Sequence, residues 1–341
     1  LDGDGDMDVL SASSGDNKIA WYANDGTGNF GVQQIISTVA ISATSAYAAD
    51  IDGDGDMDVL SASFNDDKIA WYANDGAGNF DVQQIISSAA NGAGSVYTAD
   101  LDGDGDMDVL STSYLEDKIA WYANDGAGNF DGQQIISTGA NAATSVYAAD
   151  IDGDGDMDVL SASAHDYKIA WYANDGMGNF GWQQIISYAV NGAWSVYAAD
   201  MDGDGDMDVL SASLEDDKIA WYENNGLGNF GGQQIISTAI NGPFSVYAAD
   251  IDGDGDMDVL SASAGDNKIA WYENDGLGNF GAQQIISTSA NYAISVYAAD
   301  IDGDGDMDVL SASAEDDKIA WYENDGTGNF GEQLIISTSA D

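Results

Sequence analysis

The residues with the clearest chemical potential lie at Asp100-Leu101-Asp102-Gly103-Asp104-Gly105-Asp106-Met107-Asp108, where five carboxylates alternate over nine positions. Like charges this close repel, so the segment is a liability unless a cation gathers it. Calcium takes six to eight oxygens and suits aspartates on a tight turn, whereas magnesium prefers to keep several waters. Positions 1, 3, 5 and 9 (Asp100, Asp102, Asp104 and Asp108) are expected to offer carboxylates, and position 7, Asp106, its backbone carbonyl. An EF-hand is excluded, because position 12 is Ser111 instead of a bidentate Glu and strand-like sequence flanks the loop.

The same loop recurs through the chain. It supplies Asp2, Asp4, Asp6 and Asp8 in the first copy and Asp50, Asp52, Asp54, Asp56 and Asp58 in the second. After the copy at Asp100 come Asp150, Asp152, Asp154, Asp156 and Asp158, then Asp200, Asp202, Asp204, Asp206 and Asp208. Asp250, Asp252, Asp254, Asp256 and Asp258 precede the last set, Asp300, Asp302, Asp304, Asp306 and Asp308. A candidate site saturated by protein oxygens leaves no open position for substrate, so calcium here is expected to hold loops in place. Sites of this kind in extracellular modules bind at roughly 10⁻⁴ to 10⁻³ M, which implies an extracellular or cell-surface location.

The elements that position these loops follow from the spacing. Seven copies recur at a period of 50 with no insertion or deletion, and units this small must stack on their neighbours. Within one unit, Ser95 to Ala99, Met107 to Ser113, Lys118 to Tyr122 and Gln133 to Thr138 have strand length and are bounded by Gly, Asn and Asp. In the third, Ile119 and Trp121 share one face and Ala120 and Tyr122 the other, as in a sheet covered on both sides. Asn124 to Asn129 is a glycine-rich hairpin connection. Four antiparallel strands in each of seven repeats predict an all-β, seven-bladed β-propeller occupying 1–341 as one domain. WD40, kelch, β-helix and helical repeats differ in period or signature.

Composition excludes several functions. The chain has 341 residues, 60 Asp plus Glu against 7 Lys plus Arg, and a formal charge of −53. Without arginine and with so few lysines it has no means of neutralising phosphates, so nucleic acid and anionic membranes are excluded as primary ligands. Seven divalent ions would still leave −39. No apolar run is long enough for a membrane span, and no signal peptide is visible. There is no cysteine, and His165 is the only histidine, so neither a catalytic triad nor a histidine metal site assembles. The chain is not expected to be an enzyme.

Ser95 to Leu110, Ser-Val-Tyr-Thr-Ala-Asp-Leu-Asp-Gly-Asp-Gly-Asp-Met-Asp-Val-Leu, resembles the FG-GAP or VCBS-type repeat of integrin α-subunit-like propellers. The Asn-Phe-Gly at Asn29 to Gly31 resembles the Phe-Gly element of that family, and the resemblance extends over every repeat. It implies calcium in the acidic loops, a propeller, and extracellular adhesion or recognition of protein or carbohydrate. Ser61-Ala62-Ser63 replaces the Gly-Ala-Pro element of the family, which weakens the transfer of any specific integrin activity.

In such a blade the acidic loops and the Asn-Asp-Gly hairpins share one face, where the repeats are nearly identical. The opposite face carries the differences: Phe64 to Asp67, Tyr114 to Asp117, Ala164 to Tyr167 and Leu214 to Asp217 all differ. Trp194, Phe244 and Ile294 occupy one repeat position in consecutive blades and form a candidate contact patch near the channel mouth. Drift in exposed loops is the competing explanation. The tryptophans at one repeat position, Trp21, Trp71, Trp121, Trp171, Trp221, Trp271 and Trp321, and the repeated Tyr and Phe, are expected in the core. The leading expectation is an adhesion or recognition module with one site. The alternatives are a multivalent lectin using repeated inter-blade sites and a structural unit of a surface filament.

Leu1 falls one residue after the first ligand position, so the first repeat has no inner strand of its own. A fragment of a longer protein is expected, with imperfect ring closure or an edge strand from another chain, including a second copy, as the alternatives.

Overall fold

A computed structural model describes residues 1–340. Seven antiparallel sheets follow one another along the chain, six of four strands and one of three, as the repeat arithmetic predicts. In blade 3 the inner strand is Ala93–Ala99, the second Asp108–Ser113, the third Lys118–Tyr122 and the outer Gln134–Ser137. The inner strand begins two residues earlier than expected, because a register shift between Ala93 and Val96 lets the irregular start remain paired. The outer strand is cut to four residues by a second shift between Ile119 and Ala120. No helix among the described residues is long and apolar enough to cross a membrane.

The core lies between blades. One cluster joins Leu110, Ile119 and Trp121 of blade 3 to Val146, Ala148, Val159 and Tyr172 of blade 4, and the same arrangement recurs around the ring. The seven tryptophans at the repeated position, Trp21, Trp71, Trp121, Trp171, Trp221, Trp271 and Trp321, are 2–4% exposed, as expected of core residues. Each indole lies over a glycine of the next blade. A Cβ on Gly128, which has φ +70°, would stand 2.3 Å from Cζ2 of Trp71. Glycine at this position therefore both permits the turn and admits the indole.

The two repeated tyrosines have different fates. Tyr122 is buried, and its hydroxyl accepts from Gln133 Nε2 at 2.9 Å. Tyr97, expected in the core, instead lines the central channel. Tyr47, Tyr97, Tyr147, Tyr197, Tyr247 and Tyr297 form a ladder with ring centroids 4.6 to 4.9 Å apart.

Blade 1 consists of Val9–Ser13, Lys18–Tyr22 and Gln34–Ser37 and has no inner strand. The ring closes nonetheless. A Cβ on Gly28 would meet Trp321 Cζ2 at 2.3 Å, and Asn24 Nδ2 donates to the Ile301 carbonyl at 2.6 Å. Closure thus uses the second, third and outer strands of blade 1.

Candidate metal centre and the variable face

Each acidic loop is shaped by its own amides. In blade 3 the Asp100 carboxylate accepts from Gly103 N at 2.8 Å and Gly105 N at 3.0 Å, and Asp104 Oδ1 accepts from Asp106 N at 2.9 Å. The glycines take φ +76° and +95°, so the chain folds back on the aspartate. Asp108 is fully buried; its two oxygens accept from Leu101 N at 2.9 Å and Asn124 N at 2.8 Å. Asn124 then ties the loop to its neighbour, donating through Nδ2 to Met107 O at 3.1 Å and to Ile51 O of blade 2 at 2.7 Å. The Asp106 carboxylate turns toward the Gly126 hairpin, which puts both loops on one face as expected.

These bonds gather carboxylates. Asp50, Asp52 and Asp58 each offer an oxygen within 4.8 Å of the others, as do Asp100, Asp102 and Asp108. The groups Asp150, Asp152, Asp158 and Asp200, Asp202, Asp208 repeat the arrangement, and in blade 6 the trio is Asp250, Asp252 and Asp254. The Oδ1 atoms of Asp52, Asp102, Asp152, Asp202 and Asp252 are buried without a hydrogen-bond partner. A buried carboxylate oxygen with nothing to accept from is costly, and a hard cation beside it removes that cost. The residues present fit calcium by donor type and by this orphaned oxygen.

The electrostatics agree. Burial, then the neighbouring Asp104, raises the Asp102 carboxyl above its ordinary range. Burial pushes Asp108, Asp158, Asp208 and Asp258 up to about 7, and Asp58 and Asp308 up to about 6, with the two amide bonds offsetting part of the rise.

On the opposite face the second-to-third-strand hairpins are joined to the crossovers between blades, as where Tyr114 N donates to Gly92 O at 2.9 Å. Trp194 and Phe244 meet edge to face with centroids 4.9 Å apart. The next aromatic in that row is Tyr292, 5.6 Å from Phe244, while Ile294 is 38% exposed on the neighbouring inner strand. A second row runs Phe64, Tyr114, His165, with centroids 6.0 and 5.6 Å apart and Tyr114 Oη 3.2 Å from His165 Nε2. The sequence named these residues only as variable loops. Phe64 and Tyr114 share a repeat position, which is the available signal, since a ring sets equivalent positions side by side; His165 lies one residue beyond that position and has no such signal. All seven lysines pair with the acid two residues before them, as in Lys168 with Asp166 at 2.7 Å. A cavity of about 300 Å³ beside these loops is lined by Tyr167, Tyr188, Asn191, Asp216 and Lys218 among others. Another, of about 440 Å³, lies between blades 6 and 7 and is lined by Gln283, Gln284, Ile285, Asn329 and Phe330 with the edge of Trp271.

The FG-GAP-like repeat pattern matches residues 1–61, 52–111, 103–161, 153–211, 208–261, 252–311 and 301–341. A comparison with curated protein sequences finds no match. Among solved structures, an Agrocybe aegerita lectin that recognises non-reducing terminal N-acetylglucosamine is similar with TM-score 0.70 and 18% identity, over 98% of this chain and 91% of the lectin. A putative 6-phosphogluconolactonase from Bacteroides uniformis gives 0.69 at 11% identity, over 97% of each chain. Virginiamycin B lyase from Staphylococcus aureus gives 0.59 at 14%, over 98% of this chain and 89% of the lyase. At these identities the likeness shows the fold, a scaffold shared by binding proteins and enzymes.

Proposed function

The chain belongs to the FG-GAP-like repeat family, and from that premise we propose that it is a calcium-stabilised recognition or adhesion module, working outside the cell or at its surface. It binds a protein or glycan partner through the variable face. The observation that carries this is the division of labour between faces: near-identical acidic loops on one, and the rows Trp194–Phe244–Tyr292 and Phe64–Tyr114–His165 on the other. Clustered, partly exposed aromatics are what a binding hot spot needs. The Asp at positions 1, 3, 5 and 9 of each loop would hold calcium, which supplies the positive charge that the cluster lacks. With every lysine paired to an acid, the variable face offers no free cation to a polyanion among the described residues.

Calcium titration tests the first half. About six or seven ions are expected, with a melting temperature raised by many degrees over that in chelator, and no calcium binding defeats the reading. For the second half, glycan arrays and surface-protein panels are screened with the calcium-loaded protein and with Trp194→Ser and Phe244→Ser. Binding at one site, lost in both variants while the melting temperature holds, supports the assignment; retention of full binding refutes it. A second reading, a multivalent lectin, is favoured by the polar and aromatic inter-blade cavity at Gln283, Gln284 and Phe330. It predicts several equivalent sites for a monosaccharide such as N-acetylglucosamine, unaffected by Trp194→Ser.

A further inference from the structure

Blade 4 departs from the other six at two positions that meet at one cavity. Tyr167, in the hairpin between its second and third strands, stands where the other repeats have Asn17, Asp67, Asp117, Asp217, Asn267 and Asp317. All seven residues are left-handed, with φ between +54° and +62°, a conformation that Asn and Asp tolerate and a bulky residue resists. The small side chains also cap the next crossover. Asn17, Asp67, Asp117, Asp217 and Asn267 each accept through Oδ1 from the backbone N–H 25 residues on, at 2.8 to 3.0 Å. A tyrosine carries its only side-chain oxygen beyond the ring and cannot make that local bond, so blade 4 gives up a cap and keeps a strained backbone. Strain retained in one repeat of seven points to a use for the side chain. The second departure is Tyr188, where every other repeat has Thr or Ser. The two rings, 46% and 67% exposed, flank the cavity of about 300 Å³ on the variable face. The charged residues of its wall, Asp216 and Lys218, cancel. Lys218 Nζ donates to Asp216 Oδ2 at 2.7 Å, to Ala189 O at 2.8 Å and to Gln233 Oε1 at 3.4 Å, which engages all three of its protons. Asn191 N donates to Asp216 Oδ2 at 3.3 Å, and Asn191 Oδ1 is buried with no hydrogen-bond partner among the described residues.

We propose that this cavity is a single subsite for a neutral pyranose of a glycan. The proposal rests on the recognition-module reading and narrows its partner to a sugar. A pyranose lays the C–H groups of one face on an aromatic ring and turns its hydroxyls to acceptors at the edge, here Asn191 Oδ1 and the Asp216 carboxylate. An acidic sugar would meet Asp216 and the field of a chain with a formal charge of −53, and a cationic side chain would meet Lys218. Both tyrosines occur in one repeat alone, so there is one such site per chain.

The test uses the whole chain in saturating calcium with 3-fluorotyrosine incorporated. The fluorine resonances of Tyr167 and Tyr188 are followed during titration with methyl glycosides of N-acetylglucosamine, mannose and galactose, and with methyl glucuronide. Saturable 1:1 binding of at least one neutral glycoside is expected, with the glucuronide at least about tenfold weaker. Tyr188→Thr and Tyr167→Asn install the residues of other repeats, so both should fold, and each should weaken binding at least about tenfold. Tyr167→Asn should also raise the melting temperature, because it restores the cap. Trp194→Ser should leave the glycoside titration unchanged, which separates this subsite from the aromatic row. A partner found by screening and lost with Trp194→Ser, yet indifferent to both tyrosine variants, would keep the module and sink the subsite. No response to any neutral glycoside, several equivalents bound per chain, binding retained in both tyrosine variants, or tighter binding of Nα-acetyl-lysinamide would each overturn the proposal.

Discussion

Replacing Gly128 by Ala tests how neighbouring blades lock. The new methyl would stand 2.3 Å from Cζ2 and 2.6 Å from Cη2 of Trp71, inside the smallest separation such atoms adopt, and the backbone is held at φ +70°. The left-handed conformation costs an alanine about 1–2 kcal/mol. Pushing the indole out of its seat adds about 1–3 kcal/mol of overpacking, so Gly128→Ala should lose about 2–5 kcal/mol. The control is Gly242→Ala, at φ +61° with its nearest new contacts at 3.4 Å. Ala142 occupies the same repeat position at φ +56°, so this substitution should carry the backbone cost alone. With an unfolding entropy near 2.1 cal/mol/K per residue, the difference corresponds to a drop of a few degrees in melting temperature. Urea titration and calorimetry in saturating calcium measure both variants. If Gly128→Ala is no worse than Gly242→Ala, the indole–glycine contact is not a lock and the account of blade packing is wrong.

Two further outcomes follow. Asn124→Ala removes both donors to Met107 O and Ile51 O and leaves those carbonyls without Nδ2; about 2–4 kcal/mol should be lost in chemical denaturation, and a loss below 0.5 kcal/mol would contradict the inter-blade role. In chelator, stability should fall as pH rises from about 4 to about 7. The folded carboxyls of Asp108, Asp158, Asp208 and Asp258 hold protons up to about 7, while the unfolded chain releases them near the ordinary aspartate value. Saturating calcium, which needs these groups ionised, should abolish or reverse the trend; a chelated melting temperature that climbs over this range would refute it.

Much of this was legible because the determinants are local and repeated. Lys118 to Tyr122 is apolar on both faces and short, which specifies a covered strand, and the Asp-Gly alternation after Ala99 specifies a tight acidic turn. What was not legible depends on the curvature of the ring. A period of two separates Val96 from Tyr97 but does not say which side faces the channel, so Tyr97 was placed in the core. Trp194, Phe244 and Ile294 share a repeat position, and the first two meet as rings, but Tyr292 comes from a different position and reaches Phe244 from the crossover loop. The tie from Asn124 to Ile51 joins residues 73 apart and has no pattern that a single unit could display.

Because the ring is a cycle of nearly identical contacts, no blade can leave without two junctions failing at once, and opening should be rare and cooperative.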